Sequence, residues 1–128
     1  RPRETVFDLG CGDGRILIEA QKRKRARAVG FEIAPFVYLL GQLRLLISRS
    51  RARILYKNFF KADLSKANVI FCYLFPNAME KLSIKIKKEC KKGTRIISNT
   101  FHLPGFKAKK ILPKDPTRKM PTVYVYQI

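Results

Sequence analysis

The stretch FDLGCGDGRILIEA, residues 7–20, joins an apolar run to a helical repeat through a loop that contains three glycines. Residues 5–9 (TVFDL) predict a buried strand, and residues 13–24 predict a helix because apolar residues recur there at helical spacing. A strand, a glycine loop and a helix in this order are typical of the first unit of an open parallel α/β sheet. Ligands of such sheets bind at the carboxyl ends of the strands, so this loop is the first candidate binding site.

The rest of the chain continues the alternation of strands and helices. Strands are predicted at 27–33, 52–58, 67–75 and 94–101, helices from Pro35 through Ser48 and from Pro76 to about Cys90, and a terminal hairpin at 106–112 and 122–128. The apolar segment 67–75 is expected in the middle of the sheet. We therefore predict a mostly parallel sheet with right-handed crossovers that ends in an antiparallel pair.

The totals indicate one globular domain over residues 1–128, with 46% hydrophobic and 29% charged residues. A formal net charge of +19 favours polyanions, acidic proteins or anionic membranes as partners, although a lysine-rich composition without a basic partner is the alternative. Cys11, Cys72 and Cys90 have no metal-ligand spacing. We expect reduced thiols, no metal and a cytoplasmic location.

The glycine loop has the spacing G-x-G-x-G at Gly10, Gly12 and Gly14, whereas the dinucleotide fingerprint requires G-x-G-x-x-G. Asp8 and Asp13 flank the loop and would repel a pyrophosphate, and Asp13 is a candidate cap of the helix. S-adenosylmethionine fits better, because the acids can face its ammonium and sulfonium while the helix N-terminus receives its carboxylate. A tight turn without a ligand is the alternative.

Polar residues also lie where the second and third predicted strands end. Glu32 is placed to accept the hydroxyls of a ribose, and Asn58 to bond an adenine edge while Phe59 or Phe60 packs on the ring. The candidate cofactor residues are Asp8, Gly10, Cys11, Gly12, Asp13, Glu32, Ile33, Asn58 and Phe59.

Four segments carry a family resemblance: 6–20 (VFDLGCGDGRILIEA), 28–33 (AVGFEI), 57–75 (KNFFKADLSKANVIFCYLF) and 91–106 (KKGTRIISNTFHLPGF). They resemble class I S-adenosylmethionine-dependent methyltransferases. More closely, they resemble the small protein-lysine N-methyltransferases, both the archaeal broad-specificity enzymes and the mitochondrial enzymes that modify the ATP synthase c subunit.

The resemblance implies a Rossmann-like seven-stranded sheet ordered 3-2-1-4-5-7-6 and methylation of a protein lysine, with S-adenosylhomocysteine as the second product. It also implies that Asp8, Gly10 and Gly12 hold the methionine moiety, Glu32 the ribose, and Asn58 with Phe59 the adenine. Family members have a segment before the first strand that helps to cover the cofactor, and we expect it to be missing here.

Methyl transfer from a sulfonium is an in-line displacement, and a lysine nucleophile with a reference pKa of about 10.4 must first lose its proton. We predict that Tyr73 and Asn77 orient the amine and that Phe75 excludes water; the alternative is that Tyr73 and Phe75 are core aromatics. The segment SNTF, 98–101, is a further candidate for the acceptor side, and His102 is expected to be structural.

The second predicted helix has an apolar stripe that is followed by basic residues. The stripe consists of Phe36, Leu39, Leu40, Leu43 and Ile47, and the basic residues are Arg49, Arg51 and Arg53. The simpler interpretation is that the stripe packs in a core layer. The functional interpretation is peripheral contact with an anionic membrane or a membrane-protein substrate.

Two other functions remain open. A nucleic-acid methyltransferase is favoured by the charge and by the run KRKRAR, 22–27, whereas YLFPN at 73–77 does not resemble the N-P-P-Y motif of base amino-methyltransferases. A non-catalytic basic binding module is the third candidate. For the lysine methyltransferase, the charge favours a substrate that is acidic or membrane-associated.

Overall fold

The computed structural model describes residues 4–12 and 14–128. The strands are β1 (Thr5–Leu9), β2 (Arg27–Glu32), β3 (Arg53–Tyr56), β4 (Val69–Cys72), β5 (Arg95–Asn99), β6 (Lys110–Leu112) and β7 (Val123–Gln127). The helices are α1 (Arg15–Lys24), α2 (Pro35–Ile47) and α3 (Pro76–Glu89), with 3₁₀ turns at Phe59–Lys61 and Leu64–Lys66 that the sequence did not predict. The predicted helices and strands are present, several of them with shorter ends.

In the described part of the chain the strands form one seven-stranded sheet with the order β3-β2-β1-β4-β5-β7-β6. Strands β1 to β5 run parallel to one another, and β7 is antiparallel to both β5 and β6. The predicted fold class, strand order and terminal hairpin are therefore confirmed. The chain runs outward from β1 to β3 and then resumes at β4 on the other side, so the order reverses beside the glycine loop.

The helices pack on the two faces of this sheet. Leu17 of α1 and Leu45 of α2 cluster with Ala28 of β2, whereas Leu82 and Ile86 of α3 cluster with residues from alternate positions of the strands. The predicted inner stripe of α3, which consists of Met79, Leu82 and Ile86, is fully buried. The core therefore occupies both faces and fixes the positions of the strand ends.

At Gly30 in β2, helix α1 packs closely on the sheet. A Cβ built there would lie 2.4 Å from Cδ1 of Leu17 and 2.7 Å from Cβ of Cys11. We expect Gly30→Ala to lower the free energy of unfolding by about 3 kcal/mol, near the upper end for overpacking. Urea denaturation measures this loss.

Gly93→Ala is the matched control for the Gly30 substitution. Gly93 has a φ of +96°, and no described atom lies within 4 Å of a Cβ built on it, so the control introduces backbone strain without a steric clash. That strain costs about 1 kcal/mol. A loss at Gly30 no larger than the loss at Gly93 would contradict the packing argument.

The apolar stripe of α2 faces outward, so the interpretation that it packs in a core layer is wrong. Within α2 the buried residues are Gly41 and Leu45, on the opposite side of the helix. Gln42 lies on the inner side, where its Nε2 donates to the hydroxyl of Tyr38 at 2.7 Å and to the carbonyl of Ile54 at 3.3 Å. Because β3 is an edge strand, no further strand lies beyond it, and the sheet covers only the inner side of α2.

Membrane-spanning helices were sought within residues 4–12 and 14–128. No helix in this part of the chain combines the length and the apolar character that crossing a membrane requires.

Candidate active site

The glycine loop after β1 leaves its backbone open. The amides of Gly10 and Cys11 both donate to the carbonyl of Phe31 at 3.0 Å, which fixes the loop on β2. Gly10 and Gly12 have φ values of +71° and +55°, and no described atom lies within 4 Å of a Cβ built on Gly12. The left-handed backbone excludes most side chains, and the space above Gly12 remains available to a ligand.

Helix α1 begins directly after this loop. Its N-cap is Gly14, with a φ of +82°, and a glycine has no side chain of its own that could cap the helix. The predicted cap, Asp13, lies outside the described residues. The helix dipole places partial positive charge at this end of α1, which suits the carboxylate of an amino-acid ligand.

Glu32 connects the end of β2 to the glycine loop. Its Oε1 accepts a hydrogen bond from the amide of Gly12 at 3.0 Å, and its Oε2 accepts from Ile33 and Ala34 at 3.1 Å. A carboxylate has about four lone-pair sites, so these three bonds orient Glu32 and leave about one acceptor site for a ribose hydroxyl. Ile33 is exposed beside it and presents an apolar surface.

The end of β3 lies next to the end of β2, because the amide of Lys57 donates to the carbonyl of Glu32 at 3.2 Å. Asn58 follows, and its Oδ1 accepts from the amide of Phe60 at 3.0 Å, which caps the 3₁₀ turn. The side-chain amide of Asn58 is a donor, so the contact we predict with an adenine edge uses a ring nitrogen as acceptor. The rings of Phe59 and Phe60 lie 4.4 Å apart.

Cys11 lies in the loop, but its side chain is buried in the core between α1, α2 and the sheet. Its contribution to a ligand site is therefore limited to its backbone. Asp8 is also buried, near the end of β1. Burial, with a smaller effect of the charge on Asp8, raises the pKa of the neighbouring Cys72 thiol to about 12, so Cys72 is protonated near neutral pH.

Aromatic side chains gather where β4 and β5 end. Tyr73 and Phe75 are 60% and 72% exposed, so the interpretation that they are core aromatics is wrong. The ring of Phe101 lies 6.4 Å from Tyr73 in a stacked arrangement and 5.7 Å from Phe75 edge-on. We call Tyr73, Phe75 and Phe101 the aromatic cluster. Asn77 lies next to it, exposed in the first turn of α3.

The predicted strand 67–75 ends at Cys72, which frees this cluster from the sheet. Pro76 opens α3, and Phe75 is its N-cap, so the chain turns out of the sheet there. Phe101 was not predicted as their ring partner. Its turn is held by a 2.6 Å hydrogen bond from Oγ of the buried Ser98 to the Phe101 carbonyl, and Thr100 between them has a φ of +72°.

The glycine loop and the aromatic cluster are neighbours. A Cβ built on Gly10 would lie 3.8 Å from Cδ2 of Leu74, the residue between Tyr73 and Phe75. The carboxyl ends of strands β1 to β5 therefore lie side by side and form one continuous edge, the carboxyl edge of the sheet. This edge has an acidic side, a bare backbone and an aromatic side.

The chain matches the ANTKMT methyltransferase domain over residues 8–110. It belongs to this methyltransferase family. It is also 38% identical over 128 residues to a protein-lysine N-methyltransferase of Saccharolobus islandicus, covering 98% of this chain and 80% of that protein. The adenine nucleotide translocase lysine N-methyltransferase of Mus musculus is 28% identical over 130 residues.

A solved structure is similar over most of the methyltransferase. The RNA methyltransferase from Salinibacter ruber in complex with S-adenosyl-L-homocysteine superposes with a TM-score of 0.89 and 29% identity, covering 98% of this chain and 80% of that one. The chain spans 55% of the mouse relative, about half of its length.

These similarities confirm the predicted family, the enzyme class and the cofactor. The chain is an S-adenosylmethionine-dependent methyltransferase domain with a Rossmann-like fold. The open backbone at Gly12, the N-terminal end of α1 beside it and the oriented carboxylate of Glu32 fit this cofactor. The roles of the individual residues stay predictions.

The methyltransferase also has an apolar recess away from this edge. A cavity of about 550 Å³ lies beside α1 on the sheet face formed by Val6, Val69, Phe71 and Ile97, and none of the described candidate cofactor residues lines it. The described residues also contain no cluster of His, Cys, Asp or Glu side chains that would hold a metal ion.

Proposed function

We propose that this methyltransferase transfers a methyl group to the side-chain amine of a lysine in a protein substrate. The observation that carries the proposal is the exposed aromatic cluster beside the glycine loop. The ring faces attract an ammonium group and its methylated products through cation–π contacts. The names of the archaeal and mouse relatives, both lysine N-methyltransferases, support the same acceptor.

The proposed cofactor residues divide by position along the sheet edge. Asp8, Gly10, Gly12 and the backbone of Cys11 would hold the methionine part, and Asp13 stays a prediction for the same part. Glu32 and Ile33 would hold the ribose, and Asn58 with Phe59 the adenine. When bound, S-adenosylmethionine supplies an electrophilic methyl group on its sulfonium.

The protein must deliver the lysine as a neutral amine. The aromatic cluster removes water from the amine, and desolvation lowers the pKa of a lysine. The net charge of +19 acts in the same direction, because a positive field disfavours a further positive charge. The proton leaves to solvent before the attack.

Orientation completes the proposed mechanism. The hydroxyl of Tyr73 and the side-chain carbonyl of Asn77 accept hydrogen bonds from the neutral amine, which directs its lone pair toward the methyl group. Positioning of this kind supplies most of the acceleration in an in-line transfer. Phe75 covers the amine from the solvent side.

The charge also bears on the substrate and the location. A protein of charge +19 attracts an acidic segment, so we propose a target lysine that is flanked by acidic residues or lies at an anionic membrane. Cys11, Cys72 and Cys90 are free thiols. This supports the proposal of a reducing compartment such as the cytoplasm.

Methylation of RNA is the second candidate function. It is favoured by the similarity to the RNA methyltransferase from Salinibacter ruber and by the positive charge, which suits phosphate contacts. Segment 73–77, YLFPN, does not support it, because it lacks the N-P-P-Y pattern of base amino-methyltransferases.

Label transfer tests these functions. The protein is incubated with S-adenosylmethionine carrying a labelled methyl group and with cell lysate, and the products are treated with nuclease or protease. We expect macromolecular label to survive nuclease, to be released by protease, and to elute as methyllysine after acid hydrolysis. Glu32→Gln is the control that identifies label added by this enzyme.

The other outcomes are equally specific. Label released by nuclease would replace the lysine proposal with RNA methylation. Binding of S-adenosylmethionine in calorimetry without any label transfer would favour a non-catalytic basic binding module and overturn the proposal.

A further inference from the structure

The outer side of α2 is an exposed apolar face. Phe36, Leu39, Leu40, Leu43, Leu46 and Ile47 are between 52% and 82% exposed. With 3.6 residues per turn, these positions share one side of the helix. We call them the outer α2 face. Contiguous apolar surface of this kind on a soluble domain marks an interaction site.

The outer α2 face does not contribute to the packing of α2 on the sheet. Gly41 and Leu45 already pack α2 on the sheet, and the ring of Tyr38 lies 5.3 Å from the ring of Tyr56 in β3. Gln42 adds hydrogen bonds on the same inner side. The inner side of α2 therefore holds the helix on the sheet, and the outer α2 face is available to a partner surface.

Arginines continue the surface beyond the last turn of α2. Arg49, Arg51 and Arg53 are exposed, and a cavity of about 700 Å³ is lined by Arg25, Arg27 and Arg51. The connecting segment is ordered by Gln21, whose Oε1 accepts from Oγ of Ser50 at 3.0 Å and from the amide of Arg51 at 3.1 Å. Exposed arginines thus follow the outer α2 face directly in the chain.

We propose that α2 docks flat on an anionic membrane surface, with the outer α2 face at the boundary of headgroups and acyl chains. The arginines at its end bind lipid phosphates. An apolar helical face joined to basic residues is the combination that interfacial helices use. A second copy of the chain is disfavoured as the occupant, because two proteins of charge +19 repel each other.

Docking of this kind leaves the carboxyl edge of the sheet, where the candidate active site lies, accessible. Helix α2 packs beside β3, at one edge of the sheet, whereas the aromatic cluster follows β4 and β5 on the other side of β1. The aromatic cluster would then lie near the bilayer surface, and the membrane would not cover it. Vesicle binding is measured without methyl transfer, so this inference and the proposed function fail independently.

Vesicle co-sedimentation tests the inference with phosphatidylcholine vesicles that contain or lack a quarter of phosphatidylglycerol. We expect binding to the anionic vesicles at low salt, at least tenfold weaker binding at 0.5 M salt, and no pelleting with neutral vesicles. Leu40→Gln combined with Leu43→Gln should weaken binding at least tenfold. Ile84→Gln combined with Ile111→Gln is the matched control, since these residues are 62% and 54% exposed elsewhere.

The arginines are tested at equal charge. Arg49→Gln combined with Arg51→Gln should weaken binding more than Lys87→Gln combined with Lys88→Gln, a pair of exposed lysines on α3. Binding of S-adenosylhomocysteine by each variant verifies that the fold is intact.

Several results would overturn the inference. Among them are unchanged binding of the Leu40 and Leu43 double variant, equal binding to neutral vesicles, and equal effects of the arginine and lysine pairs. Light scattering supplies another: a dimer that the Leu40 and Leu43 double variant abolishes, without vesicle binding, would assign the outer α2 face to a second copy.

Discussion

Replacement of Glu32 by glutamine is expected to weaken the binding of S-adenosylmethionine about 100-fold. A hydrogen bond from a ribose hydroxyl to a carboxylate is charge-assisted, and the loss of the charge at this bond costs about 2.7 kcal/mol, which corresponds to this factor. Isothermal titration calorimetry with S-adenosylmethionine and S-adenosylhomocysteine measures the change.

The same substitution should also loosen the glycine loop. One oxygen of Glu32 accepts from Gly12 and the other from Ile33 and Ala34, whereas a glutamine has one acceptor and must face a backbone donor with its own NH₂ group. An unsatisfied amide costs about 1–3 kcal/mol, so we expect a loss of this size in urea denaturation.

Glu19→Gln is the matched control for Glu32→Gln. Glu19 makes an exposed ion pair with Arg23 at 2.7 Å on α1, and its substitution removes the same charge from the protein. The Glu19→Gln variant should bind the cofactor with the affinity of the wild type. If Glu32→Gln binds the cofactor within threefold of the wild type, the assignment of Glu32 to the ribose is wrong.

Much of the fold follows from local patterns in the sequence. Helix α3 begins at Pro76 and buries Met79, Leu82 and Ile86, as the helical spacing predicts. The sheet order came from the family resemblance, because periodicity does not say which strands are neighbours. Periodicity also does not say what covers an apolar stripe. For this reason the sequence could not predict that the apolar stripe of α2 faces away from the sheet.

The candidate site was predictable where it depends on strand ends. Glu32 and Asn58 are predicted from their positions at the ends of β2 and β3, and the structure has these two strand ends side by side. The capping bond of Asn58 and the burial of Cys11 depend on local backbone geometry, which composition does not reveal. Phe101 meets Tyr73 because β4 and β5 pair, a long-range contact that no local pattern contains.

Replacement of Tyr73 by alanine is expected to lower kcat for methyl transfer about 100-fold without changing the affinity for S-adenosylmethionine. The substitution removes the ring that stacks on Phe101 at 6.4 Å, so water reaches the amine and the charged form of the lysine is favoured. It also removes the hydroxyl that we propose as an orienting acceptor, and misalignment of the attacking atom carries a large penalty. Initial rates of label transfer to a fixed amount of lysate protein, at saturating cofactor, measure the apparent kcat relative to the wild type.

Tyr73→Phe separates the two effects, because it keeps the ring and removes the hydroxyl. We expect its kcat to fall about tenfold, as for Asn77→Ala, which removes the other proposed acceptor; a positioned polar group of this kind contributes a factor of this order or more. Ile84→Ala, an exposed position on α3 outside the aromatic cluster, should keep the wild-type rate. A wild-type rate for Tyr73→Ala would assign the acceptor site elsewhere, whereas a parallel loss of cofactor affinity would place Tyr73 at the cofactor instead of the lysine.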